Sequence, residues 1–240
     1  MMLSRREWKP ESVLLLVMWF FLGLAGVSMC ALGVQHLTRA LSHGAQMFYV
    51  QLAGTLPMYV WAVGLVVWFL RSNQIGWNDG FGLRRRWRRA VVIAAGVAIL
   101  VTPLNLGLLW VSQHLLEWCS LDLVTQAPVE AVRAAPAFWQ KLVLGLMAVV
   151  GAPFLEEMFF RGLLYPSIKQ AGFPRLALWG TALFFAVSHA NLMAFLPLTF
   201  FGLVLALLYE ATDNLLAPIT THALFNAVNL VSLLIENGNR

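Results

Sequence analysis

Hydrophobic positions in this chain run in long blocks, at 13–34, 47–70, 90–111, 139–164, 175–191, 194–209 and 215–235. About 20 consecutive apolar residues are enough to carry a helix across the hydrocarbon of a bilayer. A backbone in lipid finds no water to bond, so it must close its own hydrogen bonds, as a helix does. The pattern therefore predicts an all-α fold, a polytopic integral membrane helical bundle of about seven transmembrane helices. The range is six to eight, because the last three blocks are joined by very short links. No internal repeat or low-complexity segment interrupts the series.

The placement of polar residues changes near residue 138. Before it, the blocks are almost purely apolar and polar chemistry stays in the loops. After it, ionisable and amide side chains enter the blocks themselves. Residues 1–138, with about three spans, read as packing and membrane anchoring, and residues 139–240 as the working part.

Composition strengthens the membrane reading. The chain is 60% hydrophobic and 11% charged, with mean hydropathy +0.75, whereas a soluble domain carries about 25% charged residues. The net charge of +5 does not point to nucleic acid, because the arginines cluster in loops between apolar blocks. Arg5, Arg6 and Lys9 precede the first block; Arg71, Arg84, Arg85, Arg86, Arg88 and Arg89 follow the second; Lys169 and Arg175 follow the fourth. If the spans alternate, these loops share one side, which the positive-inside bias makes cytoplasmic. The expected placement is an integral membrane protein with its N-terminus in the cytoplasm, and the style of the chain suggests a bacterial inner (cell) membrane. The first block is too long for a signal-peptide core of about 7–15 residues, so it reads as a retained helix. "VSMC" before Ala31 resembles a lipoprotein cleavage box only faintly. Cys30 and Cys119 are far apart and form no CxxC, which indicates neither a disulfide nor a metal cluster.

Four polar features fall within the last blocks. "EEMFFR" holds Glu156, Glu157 and Arg161; "FFAVSH" holds Phe185 and His189; "HALFN" holds His222 and Asn226; "YEATD" holds Tyr209, Glu210 and Asp213. On a helix, Glu157 and Arg161 share a face, and Glu156 is turned about 100° from Glu157. Charge near a bilayer centre costs at least about 2.5–3.5 kcal/mol per group. Each feature has a plain reading: an ion pair locking helices, hydrogen-bonded packing histidines, a His–Asn pair bonding across helices, and a solvated loop for Glu210 and Asp213. The phenylalanines at 159–160 and 184–185 read as packing or lipid-facing. A structural bundle, however, does not require a carboxylate, two imidazoles and an amide on three separate spans. A hydrolase does: a partly desolvated carboxylate acts as general base, an imidazole orients water or binds metal, and a His–Asn pair can donate to an oxyanion.

Taken in order, "EEMFFR", "FAVSH" and "HALFN" resemble the EExxxR, FxxxH and HxxxN motifs of the CPBP family. This is the CAAX protease and bacteriocin-processing (Abi) group of intramembrane endopeptidases. The resemblance covers roughly residues 140–235. It implies hydrolysis of a peptide bond in a membrane-associated, prenylated or leader peptide substrate, with Glu156 activating water, His189 positioning it, and His222 and Asn226 forming the oxyanion hole. Glu157 and Arg161 would support them. The family is commonly labelled metalloprotease, and in that version Glu156, His189 and His222 would bind a zinc-like divalent metal. HExxH is lacking, and both versions stay open, with no cofactor certain. The implied partners are a peptide or protein substrate within or near the membrane and the lipid bilayer, with no nucleic acid.

Two rival functions fit the same spans. One is a non-catalytic membrane scaffold or bacteriocin self-immunity protein that retains the fold; the other is a small transporter using Glu156 and His189 as a proton relay. One geometric strain accompanies the protease reading. At ~1.5 Å of rise per residue, a fourth span ending at 164 leaves Glu156 near its cytoplasmic end, whereas His189 lies about 21 Å from that side.

Overall fold

The computed structural model describes residues 3–238 except Arg5 and Glu7, with backbone only for Asn237 and Gly238. The basic position Arg5 therefore lies outside the described residues. The long helices are α1 (Pro10–Leu37), α2 (His43–Ser72), α3 (Trp87–Trp118), α4 (Phe138–Gln170), α5 (Pro174–Ser188), α6 (Leu192–Thr212) and α7 (Leu216–Gly238). Short helices occupy Trp77–Phe81 and Ala127–Ala134, and no strand occurs among the described residues. Among the described residues, six helices are long and apolar enough to cross a membrane. The exception is α5, with 15 residues, about 22 Å of helix; the block at 175–191 is thus shorter than a full span.

The chain divides into two compact units. The first comprises Met1–Glu7, Gly76–Gln126 and Glu156–Phe225. In it α6 packs against both α5 and α3, around a small-residue cluster of Ala90, Ala94, Leu208 and Ala217. Close approach here depends on small side chains: a Cβ on Gly202 would lie 3.0 Å from the Ala182 Cα. Asn191 caps the start of α6 by accepting the Ala194 N–H at 2.9 Å, which satisfies one of the orphan donors of a helix N-terminus.

The second unit comprises Trp8–Ile75, Ala127–Leu155 and Asn226–Arg240. Its core gathers Phe48, Val132, Leu144 and Leu233, with the Trp139 ring edge-on to Phe48 at 5.2 Å between centroids. The hairpin of α1 and α2 is pinned where the Trp61 indole N–H donates to the Trp19 carbonyl at 3.0 Å.

The end of α4 corrects the sequence border at 164. Within α4 lie two π-helical stretches, Met147–Gly151 and Met158–Leu164. After the second, the helix continues as Tyr165–Gln170 despite Pro166. The Tyr165 N–H reaches back five residues to the Phe160 carbonyl, and a proline is tolerated in the first turn of the α-helical stretch that follows. The turn to α5 is made by Gly172, at φ +98°, a conformation that glycine adopts without a Cβ penalty. Counted from this turn at ~1.5 Å per residue, Glu156 lies about 21 Å along α4 and His189 about 22 Å along α5. The two arms of the hairpin therefore bring them level, and the apparent depth mismatch disappears.

The polar end of α6 is not a solvated loop. Tyr209 and Glu210 lie inside the helix. Glu210 accepts from the Tyr165 hydroxyl at 2.8 Å and is ion-paired with Lys169. Asp213 is paired with both Arg85 and Arg6. Arg6 is buried, and its guanidinium also donates to the Asp79 carbonyl at 3.0 Å and the Tyr209 hydroxyl at 3.2 Å.

Candidate active site

Within the first unit, Glu157 and Arg161 are fully buried on α4. Arg161 Nη1 donates to Glu157 Oε1 at 2.7 Å, and Nη2 donates to the Gly202 carbonyl of α6 at 3.1 Å. The guanidinium carbon stands 4.6 Å over the Phe185 ring of α5, within range of a cation–π attraction. One arginine thus fastens α4 to both neighbouring helices while neutralising a carboxylate. A buried charge without such partners would cost several kcal/mol, on the order of the penalty for breaking an internal ion pair.

The same carboxylate oxygen takes a second bond that the sequence spacing does not reveal. His222 Nδ1, on α7, lies 2.9 Å from Glu157 Oε1. The carboxylate oxygen that takes the arginine bond offers only lone pairs, so Nδ1 carries the hydrogen of the second bond and Nε2 faces away from Glu157. His189 is built alike: its Nδ1 lies 2.8 Å from the Phe185 carbonyl, which also can only accept. Both imidazoles are therefore oriented by their Nδ1 bonds.

Their Nε2 atoms share one neighbour. Glu156 Oε2 lies 4.0 Å from His189 Nε2 and 3.9 Å from His222 Nε2. It has no hydrogen-bond partner among the described residues. Such separations are too long for direct bonds and suit a bridging water. The donor accounting makes the same point: the carboxylate and the two Nε2 lone pairs are all acceptors, so the place between them calls for donors. A water supplies two hydrogens, and one further proton on the cluster supplies the third. The exposure is graded across the cluster, with side chains 30% exposed at Glu156, 23% at His189 and 0% at Glu157 and Arg161. His222 is 4% exposed and Glu156 Oε2 itself is buried, so the orienting side is sealed and only part of the Glu156 and His189 side chains is accessible.

Aromatic rings hold the imidazoles from behind. Phe185 lies edge-on to His189 at 4.8 Å and to His222 at 5.8 Å, and Phe201 meets His222 at 5.3 Å. The phenylalanine one turn before His189 thus touches both histidines and the arginine. Thr221, next to His222, donates to the Ala94 carbonyl at 3.1 Å and joins α7 to α3.

Comparison with known proteins gives a family match over the stretch that carries this site. Residues 138–228 match the family described as type II CAAX prenyl endopeptidase Rce1-like. The matched stretch contains all three motifs and every residue of the Glu156–His189–His222 cluster. The uncharacterized protein YpbD of Bacillus subtilis (strain 168) is 34% identical over 91 residues, which cover 36% of this chain and 44% of that relative. The chain therefore aligns with less than half the length of that relative. No solved structure matches the chain.

The motif residues bear on whether a metal ion can be held here. A carboxylate and two imidazole Nε2 atoms are a ligand set that zinc accepts, but bonds of about 2.0–2.2 Å at tetrahedral angles put ligand atoms roughly 3.3 Å apart. The separations of 3.9 and 4.0 Å exceed that. Among the described residues, no group of three or more His, Cys, Asp or Glu side chains is placed to hold a metal ion. The residues as arranged do not fit one.

Asn226 belongs to the second unit. Its Nδ2 donates to the Ala148 carbonyl at 2.8 Å. Sequence reasoning also missed the tyrosine that serves the neighbouring carbonyl: the Tyr59 hydroxyl donates to Met147 O at 2.9 Å. Tyr59 lies in an apolar block far from any motif, so nothing in its surroundings marked it.

Proposed function

We propose that this protein is an intramembrane endopeptidase of the CAAX-protease type, cleaving a peptide substrate associated with the membrane by glutamate-activated water. The observation that carries the reading is Glu156 Oε2 standing 4.0 and 3.9 Å from two imidazole Nε2 atoms, each oriented by its own Nδ1 bond. Water held between Glu156 and His189 gives a proton to the Glu156 carboxylate as its oxygen attacks the peptide carbonyl carbon. His222, carrying the additional proton on Nε2, donates to the oxygen that becomes negative, in an environment where such a bond is strengthened by exclusion of water. Glu156 then passes its proton to the leaving nitrogen as the C–N bond breaks. Glu157 and Arg161 take no part in bond-making; they hold His222 in orientation. The metal-free version is favoured by the ligand separations, and no step is routed through a metal.

The protein is proposed to lie in a bacterial inner membrane with its N-terminus cytoplasmic, a reading that rests on the arginine-rich loop at 71–89. The scaffold or self-immunity alternative makes the opposite prediction about catalysis. Full-length protein, purified in detergent and offered a peptide library, is expected to cleave. Glu156→Ala is expected to lose at least about 100-fold in rate, the scale of removing a general base, at unchanged folding. Activity that survives Glu156→Ala would sink the reading, and loss of wild-type activity on chelation would replace the metal-free version by a metal-dependent one.

A further inference from the structure

We infer that the end of the first unit that carries Arg84, Arg86, Arg88, Arg89 and Arg175 is a docking surface for anionic phospholipid headgroups. This binding is independent of the peptidase reading. The cations at this end fall into two groups. Arg6 and Arg85 are ion-paired with Asp213, and Lys169 with Glu210, so these three are neutralised within the fold. Among the described residues, the side chains of Arg84, Arg86, Arg89 and Arg175 have no hydrogen-bond or ion-pair partner. Arg88 meets only the Trp87 ring, with its guanidinium carbon 5.4 Å from the centroid. All of these unpaired arginines are exposed, and the carboxylate left unpaired beside them is Asp79. The surface therefore keeps a large excess of positive charge.

The arginines are built into the fold rather than carried on a free arm. Asn214, fully buried in the turn between α6 and α7, donates from Nδ2 to the carbonyls of Leu83 and Arg85 at 3.2 and 2.6 Å. The Leu215 N–H donates to the Phe81 carbonyl at 3.0 Å. These bonds bolt the stretch before α3 to the end of α6. The Lys169–Glu210 pair fastens the end of α4 to the same part of α6, and the turn at Gly172 leads on to Arg175 in the first turn of α5. Arg84–Arg89 and Arg175 thus lie at one end of the unit. A preorganised surface of this kind loses less freedom on binding than a flexible basic tail.

What the surface meets follows from α3. This helix is long and apolar enough to cross a membrane, and it begins at Trp87. The arginines just before it and in its first turn therefore reach the headgroup layer. Exposed aromatic side chains mark the same level: Trp87 beside Arg88, Phe173 at the start of α5, and Trp179 one turn after Arg175 on the same helix face. Tryptophan prefers that interface, where its apolar body and its N–H are both satisfied. Guanidinium groups left without a carboxylate match the oxygens of a phosphodiester, which they can bond in pairs. A topology signal needs charge alone, and paired arginines would serve it equally; exposed and unpaired ones are what a phosphate ligand requires. Each basic side chain near an anionic bilayer surface strengthens binding roughly five-fold.

The test uses full-length protein, purified in detergent and freed of lipid, then titrated with phosphatidylglycerol or phosphatidylcholine and read by native mass spectrometry. Wild type is expected to bind phosphatidylglycerol at least about ten-fold more tightly than phosphatidylcholine. Combining Arg84→Gln, Arg86→Gln, Arg88→Gln and Arg89→Gln should abolish that preference. The four lysine replacements keep the charge and should retain most of it. Arg85→Gln, which removes a cation already paired within the fold, should leave the preference in place. Tryptophan fluorescence melting checks that each variant is folded. Should the four-site glutamine variant fail to fold, Arg175→Gln is scored alone and is expected to weaken phosphatidylglycerol binding roughly five-fold. Equal binding of the two lipids by wild type overturns the inference, as does an unchanged preference in the glutamine variants. Displacement of phosphatidylglycerol by millimolar inorganic phosphate overturns it too, since the surface would then be reading free phosphate rather than a lipid.

Discussion

The helices α1 and α4, of 28 and 33 residues, are both apolar enough to cross a bilayer, yet they use their surfaces in opposite ways. α1 exposes Leu14, Met18, Leu22, Met29 and Leu32 and buries little besides Ser12, Leu16 and Val27. The later part of α4 buries Glu157 and Arg161 completely, together with every residue from Met158 to Leu164. In lipid, an exposed leucine costs nothing, whereas a charge must be surrounded by partners. A lipid-facing helix can therefore vary freely among apolar residues, while a charge-bearing one is constrained at nearly every position. The difference between the two helices is a difference in tolerance, and it can be measured.

The largest effect is expected at the ion pair. Arg161→Met leaves Glu157 buried against His222 without its main counter-charge, and a broken internal pair costs about 3–5 kcal/mol. Thermal unfolding of detergent-purified protein, followed by intrinsic tryptophan fluorescence, should show a large fall in the midpoint. Glu157→Gln combined with Arg161→Met should recover much of it, because replacing both charges removes the stranded one. A single variant as stable as wild type would mean that the pair does not hold the helices together.

Next comes the same substitution made in each helix. Gly162→Ala in α4 would place a Cβ 2.7 Å from the Phe81 ring and 3.4 Å from Leu215, an overpacking expected to cost about 1–3 kcal/mol. Gly26→Ala in α1 meets nothing within 4 Å and should stabilise by about 0.5–1 kcal/mol, the gain of alanine over glycine inside a helix. The two midpoints should move in opposite directions in the same unfolding experiment. Shifts of equal sign and size would erase the contrast.

The sequence reveals the spans and the order of the motifs because both depend on local composition. It does not reveal where α4 ends. Pro166 and Lys169 look like a loop, and only the five-residue reach of the Tyr165 N–H lets the helix run on to Gln170. From that one register change came the false mismatch in depth between Glu156 and His189. The bond from His222 to Glu157 was likewise hidden, since the spacing of Glu157 and Arg161 accounts for the carboxylate without a further partner. Asp213 reads as solvated until the chain brings Arg6 and Arg85 to it from more than a hundred residues away. Contacts of that range are set by packing between helices and leave no periodic trace.

The shortness of α5 bears on what must surround His189. That helix stops at Ser188, and the chain turns through His189, Ala190 (φ +47°) and Asn191 before α6 begins. Its length of about 22 Å falls short of a hydrocarbon layer of about 30 Å. Unwound backbone at such a level is tolerated only inside protein or beside water. The interruption must therefore be covered by other protein or met by water, and the His189 side chain beside it stays 23% exposed.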